Sequence, residues 1–534
     1  MMFVHSSLAV LLVAGLRGVV GAVTPPRTDQ GTCQKTTVAI LGGGMAGVTA
    51  AQTLSNSSVH DFLILEYRDR IGGRAWHEPF GEDKDGKPYT IEMGCNWVQG
   101  LGNPGGPENP VWTLAKKYDL KTHYSNYDNV STYNEHGHKD YLNLQDEYDV
   151  AYEDAEERAG RLLKDNLQDS NTQTGLAMGG WRTKPHDMEA QAIEWWNWDF
   201  ECCYAPQDSS LVFGVAGSNL TFNTFSDQDN LVIDQRGFAA IIDGMASEFL
   251  KKDDPRVRLN THITDISYTD DGVTVHNADG SCVQADYAIA TFSLGVLQND
   301  AVSFEPRLPE WKRESIHKFT MGTYTKIFLQ FPETFWPANT EYFLYADPHI
   351  RGWYPIFQSL STPGFLPGSN ILFVTVTNEL AWRAERQGDE KTKAEIMEVL
   401  RSMFPDKAIP EPTAFKFPRW STEPWSYGSY SNWPASTTLE MHQNLRANLG
   451  RLWFAGEATS PTYFGFLHGA WFEGRAAGRE IAAALRHCKG NNKARACRGR
   501  KHYELLRGTT PLADYSMVNG WNGNSFYESD PEEE

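Results

Sequence analysis

A glycine turn set between a strand and a helix constrains this chain more than any other feature. Residues 36–41, Thr36-Thr37-Val38-Ala39-Ile40-Leu41, form a short β-branched run readable as a buried parallel strand. Gly42-Gly43-Gly44-Met45-Ala46-Gly47 comes next and satisfies G-x-G-x-x-G, and residues 45–54 read on as a helix. Each glycine answers its own demand. Gly42 permits the tight turn, Gly44 lets backbone approach a pyrophosphate, and Gly47 allows the helix to pack closely on the strand. The helix start, with Met45 and Ala46, then offers free N–H groups and the positive end of its dipole to phosphate. Residues 62–66 read as the next strand, and it ends in Glu66, 19 residues beyond Gly47. A carboxylate there accepts hydrogen bonds from ribose hydroxyls. The unit therefore calls for a dinucleotide.

The choice between dinucleotides turns on the next few residues. Asp69-Arg70-Ile71-Gly72-Gly73-Arg74 lies just past the strand. A Gly-Gly turn followed by Arg74 brings a guanidinium to a pyrophosphate. This arrangement resembles that of the flavin-containing amine oxidases, which implies FAD rather than a nicotinamide cofactor.

At 534 residues the chain is long enough for two to four domains, and 40% hydrophobic residues allow sizeable cores. A formal net charge of -20 argues against nucleic acid as a partner and favours the approach of a small cation. Residues 8–16 (LAVLLVAGL) are apolar but too short to span a bilayer, and Val20-Gly21-Ala22 suits cleavage after Ala22. We therefore expect a signal peptide over 1–22 and a secreted protein. The N-x-[ST] sequons at Asn56, Asn129 and Asn219 fit that route. No later stretch is apolar for the ~20 residues a membrane span needs, so no membrane anchor is expected. The seven cysteines match no zinc spacing. Cys488 and Cys497 are spaced for a local disulfide, whereas the vicinal Cys202 and Cys203 are expected to pack. Residues 147–166 read as an exposed helix, residues 191–204 are unusually aromatic, and the acidic tail from about residue 520 reads as disordered.

From about residue 37 to residue 485, block after block resembles the flavin-containing amine oxidases. The blocks are Gly72-Gly73-Arg74, residues 92–97 (EMGCNW), 288–297 (AIATFSLGVL), Tyr324-Thr325-Lys326, residues 417–420 (FPRW), 428–434 (GSYSNWP) and 451–469 (RLWFAGEATSPTYFGFLHG). Within the family the pattern is most similar to the secreted polyamine oxidases of plants and fungi. The resemblance implies an α/β chain: an FAD-binding Rossmann-type, glutathione-reductase-like domain, with an inserted α+β substrate domain built on a mixed sheet. It divides the chain into FAD-binding segments 35–100, 231–292 and 441–487, substrate-domain segments 101–230 and 293–440, and a C-terminal extension 488–534.

The resemblance also assigns roles. Asn96 and Trp97 lie at the flavin edge, and Glu457 lies near the ribityl–pyrophosphate region. Phe466 and Leu467 place backbone against the isoalloxazine, and Ile263 offers backbone to the adenine. Lys326 sits near flavin N5 and holds a water there. Tyr430 and Phe466 face each other across the amine, and Tyr324 and Trp420 complete the wall. Such a dry aromatic slot lowers the pKa of an amine, which must be neutral to give up hydride. Glu201 aligns with an acidic residue of the substrate tunnel. At the second tunnel position the family pattern Asn-Trp-Val-Glu-Gly appears as Asn96-Trp97-Val98-Gln99-Gly100, so Gln99 replaces a glutamate. That loss of charge points either to weaker binding of a free polyamine or to preference for an acetylated one. Ser429 stands where the covalent-flavin branch has cysteine, which implies non-covalent FAD. The implied reaction oxidises the carbon next to an amine of a polyamine and reduces O2 to H2O2, with no obligate protein partner. Three alternatives stay open: an L-amino acid oxidase on the same fold, a relative of the lysine-specific demethylases, and a flavin-binding protein without turnover.

Overall fold

The structure is a computed structural model, and it describes residues 32–488 and 499–510. The expected leader, Cys497 and the acidic tail lie outside the described residues. An eight-stranded sheet carries the glycine turn. Its centre is strand Gln34–Leu41, flanked in parallel by Phe62–Leu65 and Cys282–Ala290. Val257–Arg258 extends one side in parallel, and Leu452–Phe454 pairs in parallel with Cys282–Ala290. Residues 38–41, 62–65 and 288–290 of these strands read as unbroken apolar runs because both faces are covered there. Val38, Ile40, Phe62 and Ile64 pack beneath helices Met45–Asn56 and Leu467–His487. Antiparallel strands Val273–Asn277 and Ile263–Tyr268 complete the other side with Ser303–Glu305.

The pairing of Leu452–Phe454 with Cys282–Ala290 brings the two ends of the chain together. A disulfide between Cys33 and Cys282, 249 residues apart in sequence, links the entries of two adjacent parallel strands. The spacing of the cysteines gives no hint of it. Cys488 is oxidised to a disulfide, while Cys202 and Cys203 are free thiols, with Cys203 buried.

A second, mixed sheet has the order Ala414–Lys416, Tyr324–Gln330, Ile371–Thr377, Ile356–Ser359, Tyr342–Ala346, Val130–Asn134, Gly137–His138. Only the Tyr342–Ala346 and Val130–Asn134 pair is parallel. Helix Asp389–Met403 covers one face through Ile396, Met397, Leu400 and Met403. The helix expected over 147–166 runs Asn143–Lys164 and is exposed on one side only. Tyr148, Ala151, Ala155 and Ala159 form a buried stripe at helical spacing, and the small alanines let neighbouring helices approach. The aromatic segment forms helix Met188–Glu194, a π-helical turn Trp195–Asp199 and a last turn Phe200–Cys202. A π-helical turn inserts a residue and re-aims the side chains beyond it, here those of Phe200 and Glu201.

Candidate active site

One cavity runs from the glycine turn, between the two sheets, to the π-helical segment. At its first end Gly42 adopts φ +121°, which an L side chain rarely tolerates, and a Cβ there would come within 2.4 Å of Thr291 Oγ1. Gly47 does not line the cavity. A Cβ on Gly47 would fall 2.0 Å from the Gly42 carbonyl oxygen, so its task is close packing of helix on turn. Helix Met45–Asn56 begins at Gly44 with no side-chain cap and no acidic residue in its first turn. Helix Leu467–His487 begins in the same manner at Phe466, and Met45, Ala46, Phe466 and Leu467 all line the cavity. Two uncapped helix starts with open N–H groups fit an anionic group.

Glu66, also on the lining, accepts from Gly43 N at 2.6 Å and Arg68 N at 2.9 Å. Burial pushes its carboxyl above the ordinary range, against the pull of those two backbone N–H groups. Ile263 and Thr261 line the same end. Arg74 Nη1 donates to Glu457 Oε1 and to the Ser429 carbonyl, each at 2.8 Å. The other oxygen of Glu457 accepts from Ser431 Oγ at 2.6 Å and Gly465 N at 2.9 Å. A glutamate this buried stays in place because both of its oxygens are bonded. Glycine backbone, a buried carboxylate, an arginine and two helix starts along one cavity fit FAD.

The middle of the cavity holds Lys326 and the aromatic residues. Lys326 is buried, and its Nζ donates to the Gly94 carbonyl at 2.7 Å. Burial pulls its pKa below that of an ordinary lysine, while the nearby carboxyl of Glu92 pulls it back up. The Trp97 ring lies 5.8 Å from Lys326 Nζ, and Asn96 also lines the cavity. Tyr324 and Tyr430 place ring centroids 6.0 Å apart, and Phe200 packs edge-on to Tyr324 at 5.8 Å. Trp420 is fully buried and meets Trp76 edge-on at 5.5 Å. Glu385 accepts from Thr325 Oγ1, Trp420 N and Ser421, so one buried carboxylate fixes both the lysine strand and the Trp420 wall.

At the far end Gln99 Nε2 donates to Glu201 Oε1 at 3.1 Å. The Glu201 backbone carbonyl accepts from Tyr430 Oη at 2.8 Å. Burial, helped by the carboxyl of Asp229, pushes Glu201 up to about 8, and the Gln99 bond opposes that rise. Arg351 grips Asp199 through two bonds of 2.7 Å and reaches Glu194 at 3.1 Å, which anchors the π-helical turn.

The cavity thus gathers eighteen of the nineteen residues named from the sequence, Gly47 alone lying outside its lining. Sequence reasoning misses Tyr127, Phe200, Cys202 and Trp425, which also line it. It misses Arg351 and Glu385 as well, because their partners lie in distant segments. The aromatic density of 195–204 is the one signal that points to Phe200.

Comparison with known proteins agrees with this geometry. Residues 45–482 match the model of the flavin containing amine oxidoreductase family. The chain is 36% identical over 490 residues to polyamine oxidase 7 of Oryza sativa subsp. japonica, covering 89% of this chain and 98% of the rice protein. It is 38% identical over 458 residues to polyamine oxidase 1 of Zea mays, covering 82% and 88% of the two chains. Among solved structures, wild-type putrescine oxidase bound to putrescine superposes with a TM-score of 0.66 at 18% identity, covering 84% of this chain and 100% of that one, which shows the fold. The chain belongs to the flavin-containing amine oxidoreductase family: it is an FAD-dependent oxidase of small-molecule amines.

Proposed function

We propose that this protein is a polyamine oxidase that binds FAD without a covalent link. The observation that carries the reading is the single cavity joining the dinucleotide segments to an aromatic chamber that Gln99 and Glu201 also line. Bound FAD supplies two-electron oxidation of the carbon next to an amine and passes the electrons to O2, so that the imine formed is hydrolysed and H2O2 is released. The chain's own residues bind, orient and dry the substrate. Tyr324, Trp420, Tyr430 and Phe466 form a slot from which water is excluded, and there the amine loses its proton more readily. Their ring faces accept the cationic parts of the chain. Glu201 holds a distal ammonium and so sets which carbon enters the chamber. Gln99 contributes a neutral amide at the same place. Lys326 serves the oxygen half of the reaction and imine hydrolysis. Gly42, Gly44, Met45, Ala46, Glu66, Arg74, Asn96, Trp97, Ile263, Glu457, Phe466 and Leu467 hold the cofactor, and Gly47 closes the turn beneath it.

Arg74 is the only arginine on the lining among the described residues, and its guanidinium bonds to the Ser429 carbonyl and to Glu457. An amino acid carboxylate therefore has no uncommitted guanidinium on the lining to clamp it, which favours a polyamine over an L-amino acid. Ser429 lacks a thiol for a flavin bond, and its Oγ is occupied with Tyr324 N at 2.8 Å. Secretion follows from the leader, and a disulfide between Cys33 and Cys282 suits an oxidising compartment. Asn56 is exposed at the end of its helix, whereas Asn219 is buried, so carbohydrate belongs on Asn56 rather than Asn219. Among the described residues no helix is long and apolar enough to cross a membrane. Mass spectrometry of the products from spermine, spermidine and their N-acetyl forms tests the substrate class: aminoaldehydes are expected, and unchanged polyamines contradict it.

A further inference from the structure

Glu92 ends strand Tyr89–Glu92, two residues before the Gly94 carbonyl that holds Lys326. It is buried. Its Oε1 accepts from Phe238 N at 2.6 Å, and its Oε2 has no hydrogen-bond partner in the protein. An ionised carboxylate oxygen left so is costly, and such an oxygen either carries a proton or faces a cation. Lys326 lines the cavity nearby, buried, with the Gly94 carbonyl as its acceptor and no direct hydrogen bond to Glu92. Of the charged groups acting on Glu92, Lys326 acts most strongly, and Glu92 is the strongest charge acting on Lys326. The remaining groups around the pair are Arg70 from the turn after the second strand, Asp234 from the loop before Phe238, and Cys95. Burial pushes the Cys95 thiol up to about 12, so it stays protonated and does not exchange.

We propose that Glu92, set behind the cavity wall, is a positioning residue whose charge sets that of Lys326 on the wall. The inference rests on the proposed part of Lys326 in the oxygen half of the reaction. Oxidation of a neutral amine releases a hydride from carbon and a proton from nitrogen. Reduction of O2 to H2O2 takes up the two electrons and the proton of that hydride, and one further proton. Lys326 takes in the proton lost from nitrogen and returns it to oxygen, so each turnover leaves it unchanged. Glu92 makes this possible because its charge keeps a desolvated lysine able to hold a proton near neutral pH.

The test is the flavin reoxidation rate of the reduced holoenzyme, followed by stopped flow against O2 from pH 6 to 10. Lys326→Met is run beside Glu92→Gln and Glu92→Asp. The parent is expected to show an ionisation that Lys326→Met abolishes while slowing reoxidation at least tenfold. Glu92→Gln removes a negative charge, so the lysine gives up its proton more readily and the midpoint moves to lower pH by about one unit or more. Glu92→Asp restores most of the parent midpoint. An unshifted midpoint in Glu92→Gln, with Lys326→Met slow, overturns the Glu92 assignment alone. Unimpaired reoxidation in Lys326→Met overturns the lysine role and the Glu92 assignment with it. If neither Glu92 variant retains flavin, the parent decides: a rate independent of pH across the range overturns the proposal.

Discussion

Gln99 donates its side-chain amide to both carboxylate oxygens of Glu201, at 3.1 and 3.4 Å, across 102 residues of sequence. The pair lines the cavity beyond the aromatic residues. It leaves one ionisable carboxyl there where the family pattern has two, and it gives that carboxyl a neutral donor. Replacing Glu201 with Gln is expected to raise KM for spermine at least tenfold and to leave the flavin spectrum unchanged. Steady-state peroxide assays check it. Gln99→Glu is expected to tighten binding of the free polyamine by about 1–3 kcal/mol at alkaline pH, where both carboxyls ionise.

The same residue gives the enzyme a pH dependence with a fixed sign. The Glu201 carboxyl is held up at about 8, chiefly by burial. Below that value the free enzyme carries it neutral, and an incoming ammonium must displace a proton. KM for a polyamine is therefore expected to fall as pH rises toward about 8 and to level off above it. Glu201→Gln is expected to flatten the profile in that window. A KM that rises with pH in the parent contradicts the assignment.

Arg74 and Glu457 join cofactor segments 383 residues apart. Arg74→Ala leaves a buried glutamate with no cation, which costs about 3–5 kcal/mol when a buried pair is broken. The variant is expected to lose most of its flavin on dialysis, read from the ratio of flavin to protein absorbance. Retention of a full complement contradicts the role given to the pair.

Arg351 bridges Asp199 and Glu194 beneath the π-helical turn. Arg351→Met leaves two buried carboxyls without a cation. A destabilisation of about 3–5 kcal/mol is expected by thermal unfolding. A fall in kcat/KM is expected with it, because Phe200 and Glu201 come directly after the anchored turn. Flavin content is expected to stay near that of the parent.

Opening the Cys33–Cys282 disulfide releases a long loop in the unfolded chain. Cys33→Ser is expected to lower stability by about 5 kcal/mol at most, seen as a lower unfolding temperature with activity at room temperature retained.

How much of the molecule is legible in the sequence depends on distance along the chain. The glycine turn, Glu66 and Arg74 lie close together in sequence, and their spacing alone carries the physics of a phosphate-binding helix start. Lys326, Tyr430 and Phe466 need the resemblance, since a buried lysine strand or an aromatic in a chain with 17 tryptophans looks like ordinary core. Arg351, Glu385 and the partner of Cys33 are not legible. Each acts through a contact that the folded chain creates between distant segments, and no local period or spacing records it. The helix over 143–164 reads as exposed from sequence because alanines at 151, 155 and 159 carry little hydrophobic weight, although their small size is what buries them.

Whether this cavity oxidises polyamines is measured most directly by anaerobic mixing of the holoenzyme with spermine or spermidine, followed by admission of air and a peroxide assay. Bleaching of the oxidised flavin band within seconds is expected, with stoichiometric H2O2 on reoxidation. Bleaching by an L-amino acid and not by spermine, spermidine or their N-acetyl forms would contradict it.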